Sequence, residues 1–358
     1  MLTEGELPRR IRQSYRKLLD LPFDRGPLLI LTHHNPDPDC LASSAALQHL
    51  LKEKRGIEVT AAYTGVIGRA ENRAMVRLLD LPVQHALDID FDAFPYIALI
   101  DAQPRTGNTA VPENRSVDIV IDHHPLREQT KDVPFYIVAP ELGATATLVT
   151  EYLRRSKVDI PRDLATALVY AIRTETHDLG REASKVDVRA YEYLLPRADS
   201  MKLSAISRPV LERGYYAQLQ LALGSLLIGQ RTAICRMQEV NDPDFVPEMA
   251  DLIVRMEGLD WVLAWGRHGA RLYLSIRTNE LDASAGSIMQ QLLEGVGRGG
   301  GHGMRAGGAI ELDSPETSDL ESLLIERMLS ISGESAADLR PFAEVAGRAG
   351  DLIPNRTA

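Results

Sequence analysis

Three short apolar runs, Leu28–Thr32, Tyr96–Ile100 and Val117–Ile121, constrain the fold of this chain more tightly than any other feature of it. Each is too short for a helix and rich in Ile, Leu and Val, the pattern of a strand buried on both faces of a sheet. Each ends at a cluster of polar residues. Helical patterns follow them: Asp39 can cap a helix through LASSAALQHLLKEKR that Gly56 would end in a left-handed conformation, and Asp163–Ile172 reads as a second buried helix entered from Pro161. Buried strand, polar turn and helix in alternation predict an α/β fold whose N-terminal lobe is a mostly parallel sheet with flanking helices.

The second half reads differently. The pattern loosens around Tyr191–Pro209, so the chain divides into a first lobe over 1–195, a linker over 196–215, a smaller α/β domain over 216–313, and a helix with a polar tail over 314–358. LDWVLAW and ARLYLSIR flank Gly266–Gly269 and predict an antiparallel hairpin turning there. Trp261 and Trp265 alternate with apolar residues at strand period, which favours packing over stacking on a ligand. A helix over Ala283–Leu293 leads into the glycine-rich Gly295–Gly303, and GGAIEL reads as a closing strand.

With 40 basic and 50 acidic residues in 358, the net charge is −10, so no overall positive field exists to hold duplex nucleic acid. No apolar run approaches the ~18–20 residues of a membrane span, and charges occupy the N-terminal residues where a signal peptide has its apolar centre. No membrane association and a cytoplasmic location are expected. Cys40 and Cys235 make neither a disulfide framework nor a metal knuckle and read as buried thiols, so a metal site has to use His and carboxylate ligands.

Ligands of open parallel sheets bind beyond the carboxyl ends of the strands. There this sequence has His33-His34-Asn35-Pro36-Asp37-Pro38-Asp39, then Asp101, then Asp122-His123-His124. Carboxylates gathered at one edge repel unless protonated or neutralised by cations. His with Asp and no thiolate suits Mn²⁺, and two ions about 3.5–4 Å apart can activate water and clamp a phosphoryl oxygen. His49, His85 and His268 fall at helix, loop and turn positions where solvated imidazole is expected.

His-x-Asn-Pro-Asp-x-Asp, the lone Asp101 and Asp122-His123-His124 together resemble the DHH phosphoesterase superfamily. Gly299-Gly300-Gly301-His302 resembles its DHHA1 domain, and Ser275-Ile276-Arg277-Thr278 resembles that domain's phosphate-contacting segment. The likeness spans roughly residues 25–312. The pairing with DHHA1 implies the nanoRNase and pAp-phosphatase branch. Family II pyrophosphatases have a second domain of another type, and RecJ carries further domains.

The resemblance implies two divalent metal ions, Mn²⁺ by preference. His33, Asp37 and Asp101 would hold one; Asp39, Asp101, His123 and a later carboxylate would hold the other, with Asp101 as the bridge. His124 would sit beside the scissile phosphate, with Asp122 orienting a neighbouring imidazole. The family places an Asp in a Thr-Asp-Thr context where this chain reads Thr174-Glu175-Thr176-His177-Asp178, so Glu175 is the expected ligand and Asp178 its rival. Arg277, Arg305, His302 and the backbone of Gly299, Gly300 and Gly301 would hold the substrate's distal nucleotide or phosphate, the glycines as an anion-cradling loop.

The activity so implied is metal-dependent hydrolysis of small nucleotide substrates: short single-stranded RNA, linear or cyclic dinucleotides, or 3′-phosphoadenosine 5′-phosphate (pAp). The acidic net charge agrees with that size limit, and a homodimer is compatible with the sequence. The alternatives are a phosphatase or pyrophosphatase for small non-nucleotide phosphates, and a non-catalytic nucleotide sensor on a DHH scaffold.

Overall fold

The computed structural model describes residues 6–24, 26–180, 183–280, 282–314 and 317–346, without the side chains of His302 and Ala346. The chain divides into two compact units, with the boundary between Pro209 and Val210.

The first unit runs α1 (Glu6–Leu19), β1 (Leu28–His34), α2 (Pro38–Arg55), β2 (Val59–Thr64), α3 (Ala70–Leu79), β3 (Val83–His85), β4 (Tyr96–Ile100), β5 (Ile119–Asp122), β6 (Phe135–Val138), α4 (Thr145–Ser156), α5 (Arg162–Glu175), α6 (Lys185–Leu194) and α7 (Ser200–Ser207). The six strands are all parallel, in the order β3-β2-β1-β4-β5-β6. Every residue of β4 and β5 is buried, the result of apolar runs covered on both faces. One face presents Leu28, Ile30, Ala98, Ile100, Ile119 and Ile121 to the helices. The other presents Leu29, Leu31, Ile97, Leu99 and Val120 to loop residues such as Ala102, Val117 and Phe94, with no α-helix among the described residues of that core. The flanking helices therefore cover one face of this sheet.

Helix α2 lies against α4 and α5 with most of its circumference buried, including Asp39, Ser43 and Ser44, so its sequence lacks a clean amphipathic stripe. Its cap is Asp37 rather than Asp39. The Asp37 carboxylate accepts from the Cys40 N–H at 3.0 Å, with Pro38 inside the first turn. Gly56 ends the helix at φ 61°, its N–H donating to the Lys52 carbonyl. Residues 196–215, read as a linker, include α7, which buries Leu203 and Ile206 in the core of the first unit.

The second unit runs α8 (Arg213–Gly224), β7 (Leu226–Ile228), β8 (Thr232–Glu239), α9 (Phe245–Ile253), β9 (Trp261–His268), β10 (Arg271–Thr278), α10 (Ala285–Leu292), β11 (Arg298–His302), β12 (Arg305–Glu311), α11 (Ser318–Ser332), β13 (Arg340–Pro341) and α12 (Phe342–Ala346). Its seven strands are ordered β11-β12-β10-β9-β8-β7-β13. All pairs are antiparallel except β8–β9. One core gathers Phe245, Val246 and Met249 of α9, the other Met289 of α10 and Met328 of α11. Both tryptophans are buried, as their spacing predicts.

Two readings need correction here. The β9–β10 hairpin turns at Gly269-Ala270, and Gly266, Arg267 and His268 belong to β9. Within the glycine-rich segment, Arg298–His302 is a strand and not a loop: Gly299, Gly300 and Gly301 pair with Gly308, Gly307 and Ala306 at the sheet edge. A Cβ on Gly299 would stand 2.7 Å from Leu293 Cδ1 and from Met289 Cγ, so glycine there serves the close approach of α10. Successive N–H groups of a strand point in opposite directions, so these three cannot converge on one anion as a cradle would.

Candidate metal centre

Strand order decides where the first unit can hold a ligand. Strand β1 pairs with β2 on one side and β4 on the other, so the strand order reverses at β1 and β4, where ligands of such sheets bind beyond the carboxyl ends. His33 lies at that end of β1, Asp101 follows β4, and Asp122 closes the adjacent β5.

Asp101 is the centre of the arrangement. It is 3% exposed and holds φ at 54°, a left-handed conformation that only a few residue types adopt without penalty. Its Oδ2 lies 3.7 Å from His33 Nε2, which is 3.8 Å from Asp37 Oδ1. Its Oδ1 lies 3.6 Å from His123 Nε2, which is 3.8 Å from Asp39 Oδ2. One carboxylate thus faces two separate imidazole–carboxylate sets, one with each oxygen.

The donor atoms fit a pair of divalent cations. Separations of 3.6–3.8 Å are too long for hydrogen bonds, yet they match two ligands each roughly 2.0–2.2 Å from one shared ion. Both imidazoles are also turned for it: His33 Nδ1 donates to the His34 carbonyl at 2.8 Å and His123 Nδ1 to the Leu142 carbonyl at 3.2 Å. That fixes the tautomer and leaves each Nε2 lone pair facing the carboxylates.

Helix α4 secures the carboxylates from the other side. Its first N–H groups, from Thr145 and Ala146, each donate at 2.7 Å to Asp39, and the Thr145 hydroxyl donates at 2.7 Å to Asp101 Oδ1. Burial and the neighbouring charges of Asp101, Asp37 and Glu175 nevertheless push the Asp39 carboxyl well above its usual range. Burial works against ionisation of Asp37 too, but the neighbouring His33 imidazole and the Cys40 N–H outweigh it and hold that carboxyl low. At His33, burial opposes the charged imidazole, but the influence of Cys40 and Asp37 raises its pKa well above the ordinary value.

His124 and Asp122 form a distinct pair. His124 Nδ1 donates at 2.8 Å to Asp122 Oδ1 and stands 3.7 Å from Asp101 Oδ1. Burial opposes the imidazolium, but the Asp122 hydrogen bond and the charges of Asp101, Asp122 and Glu175 push the His124 pKa up to about 10. Burial would raise Asp122, yet its hydrogen bond and charge contact with His124 lower it.

Glu175 is the last residue of α5, and its charge is felt at both Asp39 and His124. Asp178 is 83% exposed and lies 3.5 Å from Arg173. After α5 the chain runs through His177, Asp178 and Leu179, all left-handed. In the second unit, His302, Arg305 and Arg277 stand in one row across β11, β12 and β10. The Arg277 guanidinium is ion-paired through Nε with Asp251 of α9 and donates through Nη1 to Ser275 Oγ at 2.7 Å and the Ile276 carbonyl at 2.9 Å. The side chain of His302 lies outside the described residues.

Sequence reasoning missed Gln103 and Thr145, which bond Asp122 and Asp101, because neither lies within a motif. It also missed how near Cys40 stands to His33 and Asp37. Burial pushes the Cys40 thiol up to about 12.

Comparison with known proteins agrees with this geometry. The chain is 36% identical over 301 residues to an uncharacterized protein of Methanocaldococcus jannaschii, an alignment covering 84% of this chain and 61% of that protein. It is 28% identical over 148 residues to a probable manganese-dependent inorganic pyrophosphatase of Brevibacillus brevis, covering 41% of this chain and 47% of that protein. The chain therefore spans less than two thirds of the length of either relative. A crystal structure of an exopolyphosphatase-related protein from Bacteroides fragilis shares the fold, with a TM-score of 0.69 at 14% identity over 92% of this chain and 99% of that one. Residues 27–172 match the N-terminal domain of the DHH family.

Proposed function

We propose that this chain is a divalent-metal-dependent hydrolase of phosphoesters, using two ions, Mn²⁺ by preference, and acting on small nucleotide substrates. The observation that carries the proposal is the division of Asp101, with Oδ2 toward His33 and Oδ1 toward His123. In this reading His33, Asp37 and Asp101 hold one ion, and Asp39, Asp101, His123 and Glu175 the other. A bound pair supplies Lewis acidity toward water and phosphoryl oxygens. His124, kept protonated by Asp122, donates a hydrogen bond or proton to the phosphate.

The second unit is read as the DHHA1 domain, with Arg277, Arg305, His302 and the Gly299–Gly301 strand engaging the part of the substrate remote from the breaking bond. Arg305 stands opposite Arg277 on one neighbouring strand and His302 on the other, a row of basic residues suited to phosphate. The nanoRNase and pAp-phosphatase branch follows, with short oligoribonucleotides, linear or cyclic dinucleotides and pAp as substrates. A cytoplasmic location and a homodimer belong to the same reading. No helix among the described residues is long and apolar enough to cross a membrane.

A second reading, hydrolysis of pyrophosphate or another small non-nucleotide phosphate, is favoured by the likeness of about two fifths of the chain to probable manganese-dependent inorganic pyrophosphatases. Turnover of pApA, pAp and pyrophosphate, measured side by side against Mn²⁺ and then with EDTA, separates the two. The nucleotide reading expects Mn²⁺-dependent turnover of pApA or pAp at least about tenfold above pyrophosphate, a difference of roughly 1.4 kcal/mol in barrier. The reverse ranking favours the second reading, and turnover of none of them, or full turnover after exhaustive chelation, refutes both. Arg277→Ala should impair pApA and spare bis(p-nitrophenyl) phosphate, which has no distal nucleotide to hold.

A further inference from the structure

We propose that Gln103 is a positioning residue for His124, acting through Asp122. The proposal rests on the phosphoesterase reading, in which His124 meets the substrate.

Gln103 lies two residues beyond Asp101 and is 2% exposed. A glutamine amide has two donor hydrogens and two acceptor lone pairs, and here all four are used. Nε2 donates to Asp122 Oδ2 at 2.6 Å and to the Pro125 carbonyl at 3.0 Å. Oε1 accepts from the Arg127 N–H at 2.8 Å and the Thr130 hydroxyl at 2.7 Å. The two donors sit on one side and the two acceptors on the other, so the amide has a single satisfying orientation.

That orientation sets Asp122. With Oδ2 held by Gln103, Oδ1 accepts from the His123 N–H at 2.9 Å and from His124 Nδ1 at 2.8 Å. Contacts on both oxygens fix the plane of the carboxylate, and that plane fixes the imidazole. The same amide ties down the chain after the histidines at Pro125 and Arg127, so His124 is held at its ring and along its backbone. Glutamate at this position would turn an acceptor toward Asp122 Oδ2 and the Pro125 carbonyl, replacing two hydrogen bonds with two repulsions. The chemistry of the site therefore calls for the amide itself and not only its shape.

The test uses the full-length, Mn²⁺-loaded protein with Gln103→Met, which keeps length and removes both donors, and Gln103→Glu, which keeps shape and reverses them. Both should lower kcat about 10- to 100-fold, the loss expected from a hydrogen bond to a charged group, with KM and metal stoichiometry close to wild type. In a His124→Ala background, read at high enzyme concentration, the same substitutions should change kcat less than about threefold, because the group they act through is gone. Wild-type kcat in both variants overturns the proposal. So does a loss that persists in full without His124, or one that follows loss of metal. A wild type that hydrolyses none of the offered phosphoesters refutes the phosphoesterase reading instead. The crystallographic orientation of the His124 ring in Gln103→Met then decides the positioning role alone: rotated off Asp122 if the proposal holds, unmoved if it does not.

Discussion

Replacing Asp101 by asparagine removes one ligand oxygen, and the structure says which. The Thr145 hydroxyl donates to Oδ1, so the asparagine should keep its carbonyl oxygen there, on the side of His123 and Asp39. The amide nitrogen then occupies the position of Oδ2, facing His33 Nε2, and an amide N–H cannot ligate a cation. Asparagine tolerates the left-handed φ of 54° at this position, so the change is chemical rather than conformational; alanine there would add about 1 kcal/mol or more of backbone strain. The ion of the His33–Asp37 set should be lost and the other retained. Losing Lewis-acid stabilisation from one ion, several kcal/mol, corresponds to about 10³-fold or more in kcat/KM. Elemental analysis after dialysis should find one ion per chain instead of two, with the circular dichroism spectrum unchanged. Two retained ions with wild-type turnover would refute Asp101 as the bridge. Loss of both ions would refute the assignment of its two oxygens.

Three further outcomes are expected. His33 and Asp39 both have raised pKa values, so protons compete with a cation for them. Mn²⁺ must displace those protons, so affinity should weaken as pH falls. Titration calorimetry in two buffers of different ionisation enthalpy should show net proton release, and zero release or uptake would contradict the ligand assignment. Thr145→Val removes the hydroxyl bond to Asp101 but keeps the N–H that holds Asp39, so Mn²⁺ affinity should fall about 10- to 100-fold, as read by competition with a chelating dye; unchanged affinity would make that bond incidental. Gly299→Ala places a methyl group 2.7 Å from Leu293 and Met289 and should destabilise the protein by about 1–3 kcal/mol in urea, whereas Gly300→Ala meets nothing within 4 Å and should change stability by less than about 0.5 kcal/mol. Equal effects would mean that α10 does not press on β11 as described.

Local units are written in the chain's own residues. Unbroken Ile, Leu and Val runs force burial on both faces, so β1, β4 and β5 were legible to within about two residues. Gly56 ended α2 in the expected left-handed conformation because glycine lacks the Cβ that penalises it. The residues after those strands stood out as candidate metal ligands because carboxylates and imidazoles at strand ends have few other uses in such number. The short or alanine-rich β2, β3 and β6 were not, since nothing in VTAAYT or VQH signals a strand until a neighbour pairs with it.

How those residues meet depends on the packed fold. That β1 lies beside β4, that Asp101 turns one oxygen to each imidazole set, and that Thr145 reaches Asp101 across 44 residues all depend on strand order and helix packing. The glycine segment became a strand because β12 was there to pair with it and α10 came too close for side chains, and Arg277 gained Asp251 because α9 packs over its strand. Periodicity and capping are written within a few residues and survive in the sequence. Register, strand order and long-range hydrogen bonds are set by which buried surfaces fit together, and no local window contains that information.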